Sequence, residues 1–207
     1  MLFILFCLCY LIGTFPSGIL VAKSFGVNVT TQGSGNIGAT NIARVLGKKA
    51  GLITLVLDML KGIFGTSVPG IYAMFLAFEP SHKMYMYDAT FLAAFATVLG
   101  HCLSLPGLKG GKGVATSLGV LLVIDPILAL CSVGVFVIVF ISTKIVSLAS
   151  IACAVALPIV GYYILSPLVP AHLAMLSLIS AIVAFRHKAN IERLLKGEES
   201  RFSLGSR

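Results

Sequence analysis

The run Leu2–Ala22, LFILFCLCYLIGTFPSGILVA, holds no charged residue and is long enough to cross a bilayer as a helix. Lys23 follows it and marks the interface. No basic segment precedes the run, as a cleaved secretory signal would require. Pro16-Ser17-Gly18 inside it predicts a kink, which a membrane helix tolerates where neighbours satisfy the freed backbone groups. The rest of the chain reads the same way. It is 58% hydrophobic and 11% charged over 207 residues, with a mean hydropathy of +1.04. A soluble domain carries roughly 25% charged residues, and a soluble core of this size could not hide so much apolar side chain. The expectation is one all-α polytopic membrane domain over 1–207, with about seven transmembrane helices. They are placed at Leu2–Ala22, Leu52–Phe78, Asp88–Leu105, Gly113–Ile124, Ile127–Ile141, Val146–Leu165 and His172–Phe185, with breaks at Asp125-Pro126 and Ser166-Pro167. Short amphipathic helices are expected in the loops.

Charge tests this division. With the N-terminus outside and the C-terminus in the cytoplasm, the inner side holds 13 of the 15 lysines and arginines. Lys83 alone lies outside, and Lys61 lies within a span. The outer connections carry Glu79, Asp88 and Asp125 instead. Such a bias fixes orientation by the positive-inside rule. The net charge of +8 therefore reports topology and anionic partners, and no nucleic acid is expected. Cys7, Cys9, Cys102, Cys131 and Cys153 are scattered through apolar runs without metal spacing and read as small hydrophobes.

Three polar stretches, about 30–51, 106–117 and 186–200, fall on the same side. The first, Gly33-Ser34-Gly35-Asn36-Ile37-Gly38-Ala39-Thr40-Asn41, contains G-x-G-x-x-G, but a dinucleotide fold needs a strand and a parallel sheet. What survives is the physics of glycines that let backbone N–H groups approach an anion. Ser34 or Asn36 can cap the helix that follows, and Gly47 can stop it. Thr40, Asn41 and Arg44 are spaced to share one helix face, and an arginine fork suits phosphate. The second stretch, Lys109-Gly110-Gly111-Lys112-Gly113, reads as a phosphate nest before a helix start; no Gly-Lys-Ser/Thr ends it as in a Walker A loop. In the third, His187 and Asn190 share a face at i, i+3 beside Arg186, and Ile191, Leu194 and Leu195 form an apolar side. Asp58 and Lys61, three apart within a span, are expected to pair, and Lys61 could also reach an anionic substrate. There is no aspartate cluster for Mg²⁺ and no Cys/His set for zinc, so no metal and no cofactor is expected. No histidine is followed by aspartate at the fifth position, the usual acyltransferase arrangement.

With these motifs the chain resembles the bacterial membrane glycerol-3-phosphate acyltransferase family, PlsY, which uses acyl phosphate. The resemblance covers nearly the whole chain. It is carried by Gly33 to Asn41 with Arg44, by Gly110-Gly111-Lys112-Gly113-Val114-Ala115-Thr116, and by Arg186-His187 with Asn190-Ile191 and Arg193-Leu194. Asp58 with Lys61-Gly62, Gly100-His101, and Thr143-Lys144 with Ser147-Leu148 also look like family positions. The resemblance implies transfer of an acyl group to the 1-position of sn-glycerol 3-phosphate, giving lysophosphatidate and phosphate, the first acylation of phospholipid synthesis. It implies Ser34, Arg44, His187 and Asn190 as the catalytic set. Gly110, Gly111, Lys112 and Gly113 are implied as the acyl-phosphate site. Gly35, Asn36, Thr40, Asn41, Lys61, His101 and Ser147 are further expected substrate contacts, and Glu198 is implied as structural. Acyl phosphate is already activated, so the enzyme has to align the hydroxyl with the carbonyl and neutralise two phosphates. The setting is a bacterial inner membrane, multi-pass, with the site on the cytoplasmic face. Membrane lipid is a partner, and no protein partner is required.

Two rivals belong to other readings. A transporter of an anionic solute would also use intramembrane charges and a broken span. Transporters place the site near mid-membrane and repeat their halves; here the polar groups gather at one face, and no repeat is visible. An acyltransferase drawing on acyl-CoA or acyl carrier protein differs only in its donor.

Overall fold

A computed structural model describes residues 2–75, 83–105, 107, 109–165 and 169–202. The expected end of the second span, the Ser166-Pro167 break and the residues after 202 lie outside these. Among the described residues every regular element is helical. The chain divides into two compact units, 1–124 and 125–207.

In the first unit the opening apolar run forms two helices, α1 (Leu2–Gly13) and α2 (Ser17–Ser24), so Pro16 breaks the run where a kink was expected. A single 3₁₀ turn, Val29–Thr31, leads into the glycine-rich stretch. Then come α3 (Ala39–Leu46), α4 (Lys48–Phe75), α5 (Lys83–Cys102) and α6 (Val114–Ile124). Gly47 ends α3 in the left-handed region, at φ 90°, with its N–H on the Ala43 carbonyl. α4 is the axis of the unit and packs against α1, α3, α5 and α6. Its 28 residues reach about 42 Å at the rise of an α-helix. Glycines let backbones touch along it. A Cβ on Gly62 would lie 2.2 Å from the Thr116 carbonyl oxygen, and one on Gly119 would lie 2.0 Å from that of Met59. This is small-residue packing between membrane helices, where lipid tails offer no hydrophobic drive.

The second unit holds α7 (Pro126–Thr143), α8 (Val146–Ile164), α9 (Pro170–Arg186) and α10 (Lys188–Leu195). Asp125 caps α7, its carboxylate accepting from the Leu128 N–H at 2.8 Å, and Pro126 takes the first helical position. α8 packs between α7 and α9. Lys144 takes up a left-handed conformation, φ 61°, between α7 and α8.

Helices occupy all seven expected places. Four of them are long and apolar enough to cross a bilayer: the α1–α2 run, α4, α7 and α8. The pair α9–α10, bent by 59°, makes a fifth if it counts as one span. α6, at 11 residues, extends only about 16 Å against a hydrocarbon core of ~30 Å. The surfaces agree with a lipid solvent. Leu130 and Ile138 on α7 are 70% and 68% exposed, and the helix carries no charged residue.

Candidate active site

In the first unit the glycine-rich stretch is held from inside α3, not from its cap. Asn41 is buried, and its side chain serves the loop behind it. Its Oδ1 accepts from the Ser34 N–H at 2.8 Å, and its Nδ2 donates to the carbonyls of Gln32 at 3.1 Å and Asn36 at 2.8 Å. Asn36 folds back locally, its Oδ1 accepting from the Gly38 N–H at 2.8 Å. The helix cap is Gly38, with no side-chain bond, so neither Ser34 nor Asn36 caps α3 as expected. The amides of Asn36 and Asn41 are engaged in the loop. Ser34, Thr40 and Arg44 face outward on the exposed side. Thr40, Asn41 and Arg44 thus divide between two faces instead of sharing one. Gly33 and Gly35 both have positive φ, 57° and 66°. A Cβ on Gly33 would also lie 2.3 Å from Asn41 Oδ1. Gly33→Ala is therefore expected to destabilise by about 1–3 kcal/mol and to loosen the loop, measured by thermal unfolding in detergent micelles.

The second stretch belongs to the same unit. Lys109 Nζ donates to the Thr30 carbonyl at 3.2 Å, so the two polar loops meet at Thr30. Gly111 N–H donates to the His101 carbonyl at 2.9 Å, and Gly113 has φ 85° just before α6 begins. The first-turn hydroxyls of α6, Thr116 and Ser117, are buried and find no hydrogen-bond partner among the described residues. Thr116 belongs to the second motif, but neither hydroxyl is among the site residues expected from the sequence, where a hydroxyl next to a helix start reads as ordinary capping. Lys61 and His101 are buried, at 7% and 5% exposure. The expected pairing of Lys61 with Asp58 is present at 2.9 Å.

In the second unit His187 lies at the joint between α9 and α10, not within one helix. The Asn190 N–H donates to the His187 carbonyl at 2.8 Å, and both side chains are buried. His187 Nδ1 lies 2.7 Å from the Val183 carbonyl. A carbonyl only accepts, so Nδ1 carries the proton, and in the neutral ring Nε2 has the lone pair.

Glu199 is the anchor of this unit's polar end. Its Oε1 accepts from Ser147 Oγ at 2.8 Å and from Asn190 Nδ2 at 2.7 Å; its Oε2 accepts from Arg193 Nε at 2.6 Å. Burial pushes this carboxyl's pKa up, but the bonds from Ser147, Asn190 and Arg193 outweigh it and hold the group below the ordinary carboxylate range. The structural acid expected at Glu198 is therefore Glu199, while Glu198 is exposed. Gly197, at φ 70°, turns the chain between the helix and the acid. Which of two adjacent carboxylates faces inward depends on that turn. Ser147, expected as a substrate contact, gives its hydroxyl hydrogen to Glu199. The strand of chain beyond is tied down as well, the Phe202 N–H donating to the Lys144 carbonyl at 2.6 Å.

Apolar helices of membrane-crossing length, carrying glycine-rich loops rich in amide, hydroxyl and guanidinium groups, define a helical integral membrane protein with loops suited to an anionic ligand. Comparison with known proteins narrows the class. The chain matches the family described as glycerol-3-phosphate acyltransferase over residues 3–197. The glycerol-3-phosphate acyltransferase of Syntrophotalea carbinolica is 42% identical over 202 residues, 97% of each chain. Two crystal structures of PlsY, described as an integral membrane glycerol 3-phosphate acyltransferase, are 36% identical to it. The glycerol 3-phosphate form matches with a TM-score of 0.85 over 98% of this chain and 96% of its own. The lysophosphatidic acid form gives 0.82 over 98% and 95%. The chain belongs to the glycerol-3-phosphate acyltransferase family.

Proposed function

We propose that this protein moves a fatty acyl group from acyl phosphate to the 1-position of sn-glycerol 3-phosphate, releasing lysophosphatidate and inorganic phosphate. The observation that carries the reading is the likeness over 98% of the chain to an enzyme solved in glycerol 3-phosphate and lysophosphatidic acid forms. Those forms supply an acceptor and a product. The choice of donor rests on chemistry. A mixed anhydride needs no covalent enzyme intermediate, and the chain offers a second loop of glycine backbone and lysine, Gly110–Gly113, beside the first.

The step is a direct displacement. The glycerol hydroxyl oxygen bonds to the acyl carbonyl carbon, the bond from that carbon to the phosphate oxygen breaks, and phosphate leaves with the electron pair. The hydroxyl proton passes to His187 Nε2 or to a phosphate oxygen. Arg44 and Ser34 serve the first unit's phosphate contact, with Gly35 and Thr40 alongside and with Asn36 and Asn41 holding the loop in shape. Gly110, Gly111, Lys112 and Gly113 take the acyl phosphate at the start of α6, where the positive end of the helix dipole and the lysine charge favour an anion. His187 and Asn190 act on the glycerol hydroxyl. Glu199 accepts only, so it turns the Asn190 amide to face it with Nδ2, leaving Oδ1 as an acceptor. In the cell we place the protein in a bacterial inner membrane with its N-terminus outside and its polar loops in the cytoplasm, as the lysine and arginine bias suggests.

The test supplies purified protein with glycerol 3-phosphate and, in separate reactions, acyl phosphate, acyl-CoA or acyl carrier protein. Lysophosphatidate and free phosphate are expected from acyl phosphate alone. Product from either of the other two donors, with none from acyl phosphate, overturns the donor assignment.

A further inference from the structure

The outer side of α10 takes no part in the reaction described above. Asn190 and Arg193 turn the inner side of this helix to Glu199. Ile191 and Leu195, one turn apart, face outward, and Leu195 is 84% exposed. Of the three apolar residues on this helix only Leu194 is partly covered. What lies outside the other two follows from α9. That helix has no charged residue before Arg186, its last. Its 17 residues reach about 25 Å, close to a hydrocarbon core of ~30 Å. Arg186 and Lys188 end the apolar stretch as interface markers. α10 then leaves the direction of α9 by 59°. A helix that turns this way at the interface runs obliquely along the membrane surface, one face toward the acyl chains and one toward water.

The charges beside the apolar pair have a sign. Lys188, Glu192 and, at the C-cap, Lys196 form the neighbouring row, each one turn from the next, with one positive charge in excess. Lys144 and Arg201 are exposed at the same end of the unit, where the Phe202 N–H ties the tail to the Lys144 carbonyl. The Arg193 charge is taken up by Glu199. Among the described residues of this end, exposed Lys144, Lys188, Lys196 and Arg201 stand against Glu192 and Glu198, so the surface is net positive.

We propose that this face of α10 docks on the bilayer that holds the chain, with Ile191 and Leu195 in the acyl boundary and Lys188 and Lys196 on the headgroups of anionic phospholipids. An apolar pair alone would suit any lipid; the lysines beside it select the charge. A lysine stem lies along apolar surface while its ammonium reaches the headgroup plane. Lipid docked there backs the helix whose inner side carries Asn190. The docking stands or falls independently of the acyl donor and of the substrates each loop takes.

The sequence contains no tryptophan, so one placed on α10 reports alone. The full chain is prepared in lipid nanodiscs as Leu195→Trp and, separately, as Ala189→Trp, an exposed position about a third of a turn round the helix. All the positions changed are exposed, so the variants are expected to fold, which circular dichroism checks. With brominated acyl chains Leu195→Trp is expected to be quenched at least about threefold more strongly than Ala189→Trp, because an interfacial helix buries one face only. With brominated lipid as the minority component, brominated phosphatidylglycerol is expected to quench Leu195→Trp about twofold more than brominated phosphatidylcholine. Adding Lys188→Gln and Lys196→Gln to that variant is expected to abolish the difference between the two lipids. Equal quenching at 189 and 195 overturns the docking, since that side of α10 then meets water or protein. Equal quenching by the two lipids overturns the anionic partner.

Discussion

The substitution His187→Gln is expected to lower kcat by about 10²- to 10⁴-fold and to leave KM for glycerol 3-phosphate nearly unchanged, the range that a positioned general base contributes. The expectation follows from the Val183 carbonyl. It faces Nδ1 at 2.7 Å on the preceding turn of α9, so the ring is oriented and its tautomer set. Nε2 is then the basic nitrogen. The ring is 1% exposed, and a buried imidazole is held against rotation. Glutamine fills similar space and can keep a donor on Val183, but it cannot take a proton. Alanine would add a cavity cost to the comparison. Steady-state kinetics with each substrate varied in turn separate the outcomes. A loss confined to KM would mean that His187 only holds the glycerol phosphate, and that a phosphate oxygen of the substrate takes the proton.

Membrane helices were easy to read in this chain because a bilayer demands long apolar runs. α7, at Pro126–Thr143, differs from its expected bounds by one residue at the start and two at the end, and Asp125-Pro126 marked its start correctly. The interruption at Pro16 was legible as an irregularity, but whether a proline bends a helix or ends it depends on what packs there. Here the Phe15 carbonyl left at the break is bonded to Lys61, forty-six residues away, and no local pattern contains that partner. The same limit governed the asparagines. Ser34 and Asn36 have the chemistry of caps, yet the loop is held by Asn41 from within α3, because tertiary burial turned that amide backward. The spacing of His187 and Asn190 suggested one helix face, whereas the pair straddles a 59° bend. Spacing gives direction only while the helix continues. The resemblance implies Glu198 as the structural acid, whereas the bonded carboxylate is that of Glu199. Gly197, at positive φ, turns the chain there, and of the two neighbouring glutamates Glu198 is left exposed while Glu199 meets Ser147, Asn190 and Arg193.

Glu199→Ala is expected to cost about 2–4 kcal/mol of stability and to reduce activity by about 10²-fold or more, since it strips one shared acceptor from three donors. Ser147 and Asn190 are buried, at 6% and 4% exposure, and would be left with unmet hydrogens. Arg193 is partly exposed, its side chain at 39%, so water can replace its share, and that contact adds little. Activity falls because the Asn190 amide loses the partner that decides which way it faces. Glu199→Gln separates charge from shape. Its carbonyl oxygen can still accept from Ser147 and Asn190, but its NH₂ meets the Arg193 guanidinium, so a milder loss is expected. The pH dependence gives a sharper check. Burial acts to raise the carboxyl, and the donors of Ser147, Asn190 and Arg193 together with the Arg193 charge more than reverse this, so the folded pKa lies below the unfolded one. Between those two values the unfolded chain binds more protons than the folded chain, and stability rises with pH. The contribution is therefore complete above the unfolded value of about 4.3 and disappears as pH falls through the folded value. Thermal unfolding in micelles, followed from pH 7 downward, should show an acid limb in the parent that is smaller in Glu199→Gln. An identical limb in both proteins would mean that the Glu199 carboxylate is not what ties Asn190 and Ser147 together.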